Sequence, residues 1–262
     1  MLGSEVFEMD HERRFGGLRR LYGVNGAQRI FDAHAVVVGI GGVGSWVAES
    51  LARSGVGRLT LIDMDHIAES NINRQIHAVD LSLGMSKVDA MRERILSFHP
   101  HADVTCVDDF LTPDNVDQLL PSGCDVVIDA CDQVSSKFAM IEWARTTKRD
   151  LVTVGAAGGK RVAHRVELDD LVNVTHDPLL AQLRYRLRQR YPVFKQSTKK
   201  MSVACVFSRE AVMKPDVCQS QDMDGSLNCH GYGSVVAVTA VFGMAAAGWA
   251  LDRLASKKLS SG

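Results

Sequence analysis

The sequence predicts an α/β protein built on a doubly wound, mostly parallel sheet. Three observations carry that expectation. Short apolar runs rich in β-branched residues alternate with helical patterns over the first 155 residues, which is how parallel strands buried on both faces and joined by crossover helices read. A glycine-rich turn separates the first such run from the first helix. The second run ends in an acid, Asp63.

The opening unit is HAVVVGIGGVGSWVAESLARSGVGRLTLIDMD, residues 34–65. Residues 35–38 form the first expected strand. Gly39, Gly41, Gly42 and Gly44 follow, and Ser45 opens the helix on which Trp46, Val47 and Leu51 repeat with helical period. Glycine permits positive φ and lets backbone N–H groups approach phosphate without a Cβ in the way. The helix N-terminus adds unpaired N–H groups and partial positive charge. Residues 59–62 form the second strand, and Asp63, 19 residues after Gly44, is placed to accept hydrogen bonds from ribose hydroxyls. These features point to a bound nucleotide and leave a dinucleotide and ATP both open.

A polar, turn-rich stretch follows, then a helix over 86–98 with Ser86 as N-cap and Pro100 as the stop. A strand over 103–107, a short helix over 114–120, a strand over 124–128 ending in DACD, a helix over 135–147 and a strand over 151–154 complete the first half. Ligands of such sheets bind at the carboxyl ends of the strands, where these motifs fall. Past residue 155 the rhythm changes. Residues 161–168 alternate as an antiparallel strand would, 178–191 form a basic helix, 201–207 a strand and 214–232 a loop.

The chain of 262 residues is 46% hydrophobic, enough for a proper core, and its net charge of −1 excludes a globally basic nucleic-acid binder. The N-terminus lacks an apolar signal region, and the six cysteines show no CxxC spacing. A cytoplasmic protein with reduced thiols and no zinc knuckle is expected. Residues 233–251 carry no charge and approach membrane-spanning length. Their Ala, Gly, Ser and Thr content favours a buried or subunit-interface helix, with membrane association as the alternative.

The chemistry-bearing residues cluster after the second strand. SNINRQ, residues 70–75, offers Asn71, Arg74 and Gln75. An arginine neutralises phosphate through a bidentate fork, and amides orient oxygens. Lys87, at a helix start where a cation is slightly unfavourable, reaches the same phosphates as a point charge. Asp132 is the preferred Mg²⁺ ligand, Asp65 has a similar place, and Asp129 reads equally as a turn-forming acid. Between Pro178 and Arg209 there is no acid. Arg184, Arg186, Arg188, Arg190, Lys195, Lys199 and Lys200 interleave with Tyr185, Tyr191 and Phe194, a pattern suited to RNA phosphates and bases.

GIGGVGS at 39–45, LIDMD at 61–65, SNINRQ, Lys87 and DACD at 129–132 together resemble the E1-like (ubiquitin-activating) adenylating superfamily. The resemblance implies a Rossmann-like E1 adenylation fold with an antiparallel extension and a C-terminal apolar helix. It implies an N-terminal arm (1–30), a nucleotide-binding half (31–155) and a substrate- and dimer-facing half (156–262). It also implies ATP and Mg²⁺ as cofactors, with Asp63 on ribose, Arg74 and Lys87 on the phosphates and Asp132 on magnesium, and a homodimer. Members often take an arginine from a partner's arm; here Gly occupies the aligned position, and Arg14, Arg19 and Arg20 are candidates.

HDPLLAQLRYRLR, CVFSRE and NCHGYGS resemble the bacterial branch that dehydrates threonylcarbamoyladenosine in tRNA. The implied activity is ATP-dependent cyclisation at adenosine 37, through adenylation of the threonyl carboxylate. The alternative is an activator of a ubiquitin-like sulfur carrier, or a sulfur-relay protein served by a cysteine desulfurase. Missing CxxC ligands disfavour it. Cys205, Cys218 and Cys229 are candidate sulfur acceptors without an assigned role, and His230 is a candidate proton carrier.

Overall fold

The computed structural model describes residues 10–195, 199–213 and 232–257. A seven-stranded sheet has the order β3-β2-β1-β4-β5-β7-β6. Its strands are β1 (His34–Val38), β2 (Arg58–Ile62), β3 (Asp103–Val107), β4 (Val126–Asp129), β5 (Asp150–Val154), β6 (Val166–Asp170) and β7 (Ala204–Ser208). All neighbours pair in parallel except β6 with β7. The E1-like sheet with an antiparallel pair is therefore present. The order reverses between β1 and β4, so a crevice opens at their carboxyl ends.

The helices are α1 (His11–Phe15), α2 (Gly17–Asp32), α3 (Gly44–Arg53), α4 (Lys87–Phe98), α5 (Val116–Leu119), α6 (Val134–Thr147), α7 (Pro178–Arg190) and α8 (Val236–Ser256). The central strands are buried on both faces, as their apolar runs require. One core joins α2, α3 and α8 to one face of the sheet. Smaller clusters pack α5 and α6 against the other face and α7 against β7.

Residues 233–251 are placed by packing. Val238, Phe242, Ala246, Ala247 and Ala250 of α8 are fully buried. Gly243 is required because a Cβ there would lie 2.7 Å from both Trp46 Cβ and Val43 O of the α3 entry. The small residues that thinned the hydropathy of this stretch permit that approach. Among the described residues no helix is long and apolar enough to cross a membrane.

The described part of the N-terminal arm packs on its own chain. Phe15, Ala27 and Ile30 are buried in the main core, and α2 breaks at Gly23, where φ is +72°. Arg14 donates to Phe98 O (2.7 Å) and Arg19 pairs with Glu12 (3.0 Å), so both are engaged within the chain. The boundary drawn at residue 31 falls inside α2. The strand expected over 161–168 begins only at Val166, after a 3₁₀ turn at Ala163–Arg165.

Candidate functional site

A cleft of about 420 Å³ lies across the carboxyl ends of β1, β2, β4 and β5, within the range of nucleotide-sized sites. Its floor is the glycine turn. Gly39 takes φ +86°, and a Cβ there would sit 2.9 Å from the Ala130 carbonyl carbon and oxygen. Beside it, Gly41 faces open space, with only Gln75 Nε2 at 3.9 Å from an added Cβ. A ligand can therefore press directly on this backbone. Gly44 serves the fold instead, since its Cβ would fall 1.7 Å from Gly39 O.

Asp63 is 8% exposed and locks the turn. Its Oδ2 accepts the Ile40 N–H at 2.6 Å and its Oδ1 accepts the Asp65 N–H at 2.8 Å. Burial raises its pKa against the lowering effect of Lys87. Lys87, the first residue of α4 behind the Ser86 cap, is 6% exposed. Its Nζ lies 2.6 Å from Asp65 Oδ2 and 4.0 Å from Asp63 Oδ1. Asp65 is thus the lysine's partner, which disfavours it as a metal ligand.

Arg74 reaches the cleft over Gly42, where its Cγ and Cδ lie 3.3 Å from an added Cβ. Its carbonyl accepts from the Trp46 indole (2.9 Å) and Thr239 Oγ1 (3.5 Å), so α3 and α8 both hold it. Its guanidinium donates to Ser70 O and to Asn73 Oδ1 (3.1 Å). Gln75 is 5% exposed and lines the cleft, with its Oε1 unpartnered among the described residues. Asp132 is exposed on the rim.

Asn71 and Ser45 lie outside the cleft lining. Asn71 Oδ1 accepts the Ala68 N–H at 3.1 Å and stabilises its own turn, while fully buried Ser45 accepts the Ile76 N–H at 3.4 Å. With Gly44, they shape the site from behind.

Asp129 is turned away from the cleft. Fully buried, it accepts from Lys137 Nζ (3.0 Å), Thr153 Oγ1 (2.5 Å) and the Cys131 N–H (3.3 Å). Lys137, on α6, also donates to Val154 O at 2.8 Å. Burial pushes the Lys137 ammonium down, but the Asp129 charge and hydrogen bond, with the nearby Cys131 and Asp177, together raise its pKa. The ion pair ties the ends of β4 and β5 together beneath the cleft. Sequence reasoning missed Lys137 because a lysine inside a helix reads as solvated. It also missed Asp109, Phe110 and Ser136 and the Gly155–Ala157 wall; their only signal was their position after the carboxyl ends of β3, β4 and β5.

That wall is held by Asp177. Its Oδ2 accepts the Ala156 N–H (2.9 Å) and its Oδ1 caps α7 through the Leu180 N–H (2.9 Å). Gly155 has no room for a Cβ, which would lie 2.0 Å from Asp177 Oδ2. Lys160, 2% exposed, donates to the carbonyls of His176, Ser208 and Glu210. One polar knot thus joins the loop after β5 to α7 and the end of β7.

The basic helix divides. Arg186 and Arg190 of α7 are exposed, as are Lys195, Lys199 and Lys200. Arg184 turns inward to the carbonyls of Leu171 (3.0 Å) and Val174 (2.7 Å), which corrects its expected role as an RNA contact. Arg188 is half-buried, with Nε unpartnered among the described residues.

Cys205 is buried in β7, and burial raises its thiol pKa well above the ordinary value; Cys131 is raised in the same way. Neither is poised as a thiolate. Cys218, Cys229 and His230 lie outside the described residues.

Sheet order, glycine cradle and buried acid–lysine pair define an E1-like, doubly wound nucleotide-binding protein. The chain belongs to the ThiF family, whose sequence profile matches residues 15–261. It is 45% identical over 267 residues to the tRNA threonylcarbamoyladenosine dehydratase of Escherichia coli K12, covering 99% of this chain and 100% of that one. It is 40% identical to the Haemophilus influenzae protein of the same name, covering 95% and 96%. The crystal structure of the E. coli dehydratase in complex with ATP superposes with a TM-score of 0.85 at 45% identity, covering 96% of this chain and 97% of that one. The complex with AMP gives 0.84 at 46%, over the same shares.

Proposed function

We propose that this chain is an ATP-dependent dehydratase of threonylcarbamoyladenosine at position 37 of tRNA. One observation carries the reading: Gly41, Gly42, Asp63, Arg74, Gln75, Lys87 and Asp132 surround one cleft, and full-length relatives of that name share the fold. In this reading ATP is the co-substrate. Gly39–Gly42 backbone and the start of α3 cradle its phosphates. Asp63 holds the ribose side, and Arg74 and Lys87 balance the charge that grows on the phosphates.

The threonyl carboxylate attacks the α-phosphorus and pyrophosphate leaves. The carbamoyl group then closes on the activated carbonyl and AMP leaves, so one water is lost overall. The chain's share is alignment and charge compensation. Mg²⁺ fits the rim: magnesium takes one or two carboxylates plus substrate phosphates, and Asp132 supplies one exposed carboxylate there. Among the described residues no three-residue acid, His or Cys cluster offers a cage. The ion would neutralise phosphate charge.

The exposed cations of α7 and Lys195, Lys199 and Lys200 serve the RNA, and the apolar exposed residues Val241 and Met244 of α8 serve a homodimer contact. The division into an arm, a nucleotide half and a substrate half belongs to the same proposal, with the described part of the arm docked on the nucleotide half. Incubating the protein with ATP and modified tRNA, then weighing the digested nucleosides, tests the reading. Loss of one water at the modified adenosine is expected; an unchanged nucleoside refutes it. ATP–pyrophosphate exchange driven by a protein ending in Gly-Gly, without tRNA, supports the sulfur-carrier alternative instead.

A further inference from the structure

A second groove opens at the opposite end of the sheet, at the first residues of β5 and β7 and the last of β6. Arg145, Lys148 and Arg149 enter it from the end of α6, Lys200 from the segment before β7 and Arg253 from α8. These five cations come from three separate parts of the chain. The end of α6 carries a partial negative charge that one cation would answer, so the helix end does not account for the set.

The groove's three carboxylates are committed. Asp150 pairs with Arg253 (2.7 Å). Asp169 accepts the Asp170 N–H and Asn173 Nδ2. Asp170 accepts the N–H groups of Val172, Met201 and Ser202. Lys148 and Lys200 are exposed and show no ion pair among the described residues. Arg145 is pre-positioned, its guanidinium 4.7 Å and 4.9 Å from the Tyr191 and Phe194 ring centroids.

Helix α7 connects this groove to the cleft. Leu179 at its start lines the cleft, and Tyr191 just past its end lies under Arg145. Thirteen helical residues span about 20 Å, with Arg186 and Arg190 exposed along the way. Arg186 and Arg190 thus lie between the two sites, Arg190 within 3.7 Å of Glu142.

We propose that this groove binds the phosphate backbone of the RNA stem whose loop offers its modified nucleoside to the cleft. The inference rests on the tRNA reading of that cleft and extends its RNA surface to residues of α6 and α8. The cations position the RNA and read no sequence. An acidic protein is the competing occupant; the alignment of the groove with α7 and the cleft favours RNA.

The test is binding of full-length tRNA without ATP, measured across potassium chloride concentrations. In the double variant Lys148→Asn/Lys200→Gln the slope of log affinity against log salt is expected to shrink by about 1.4–1.8, at roughly 0.7–0.9 per phosphate contact. Lys148→Arg/Lys200→Arg is expected to keep the parental slope. A stem-less loop oligonucleotide should bind parent and variant alike. An unchanged slope with full tRNA, or equal loss on the stem-less oligonucleotide, overturns the inference. So does a loss confined to acidic proteins. Because no turnover is read, this result is separable from the dehydration assay: a parent that fails to dehydrate tRNA overturns the cleft reading, whereas the slope alone decides the groove.

Discussion

Replacing Lys137 with Met removes the only ammonium that faces the fully buried Asp129 among the described residues, while keeping most of the side-chain volume. Three hydrogen bonds disappear, to Asp129, Thr153 and the Val154 carbonyl. Asp129 then keeps only neutral donors, the Thr153 hydroxyl and the Cys131 N–H and thiol. Removing one partner of a buried pair costs about 3–5 kcal/mol, because an uncompensated charge stays behind. At about 2–4 °C per kcal/mol for a chain of this size, the melting temperature should fall by about 6–20 °C. Urea denaturation of a double-mutant cycle measures the effect. Lys137→Met/Asp129→Asn should lose less than the sum of the two single variants, with a coupling of about 1–3 kcal/mol. A single-variant loss below about 1 kcal/mol, or strict additivity, would refute the argument that the pair holds β4 to β5 under the cleft.

Gly44→Ala should abolish ATP binding in calorimetry and lower stability, because the new Cβ would overlap Gly39 O; parental affinity would contradict the turn geometry. His77 is 3% exposed, with both ring nitrogens unpartnered among the described residues, and burial lowers its pKa to about 4. The unfolded chain therefore binds the extra proton first. Stability should be complete above about pH 6.5 and fall by up to about 3 kcal/mol toward pH 4, a slope that His77→Leu should flatten in urea titrations. Arg184→Gln should lower the melting temperature through the two freed carbonyls of Leu171 and Val174 and leave the salt slope of tRNA binding unchanged. Cys205 should resist thiol reagents at pH 8 in the native state and react once urea unfolds the sheet.

The parallel sheet and its crevice were legible because buried strands and the glycine turn leave local patterns: residues 35–38 and 59–62 appear as β1 and β2 with one-residue differences. Asp63, which follows the end of β2, Arg74 and Lys87 were legible as a set through the motifs shared with the E1-like superfamily. Their internal geometry was not. The Asp65 claim on Lys87 spans 22 residues and the Trp46 bond to the Arg74 carbonyl spans 28, and no local periodicity reports such pairs. Asp129 and Lys137 sit eight residues apart on different elements, so a buried pair looked like a turn acid and a surface lysine. The basic run misled at Arg184 for a related reason: composition shows charge, while helical phase decides which arginine turns inward.

Asp177 starts α7 with one oxygen and anchors the cleft wall with the other. The loop after β5 and the helix beyond it are therefore interchangeable only as one cassette. A chimera that imports a relative's basic helix without its Gly155–Lys160 partner segment would inherit a mismatched joint, and transplanting both together is the graft that would preserve the cleft.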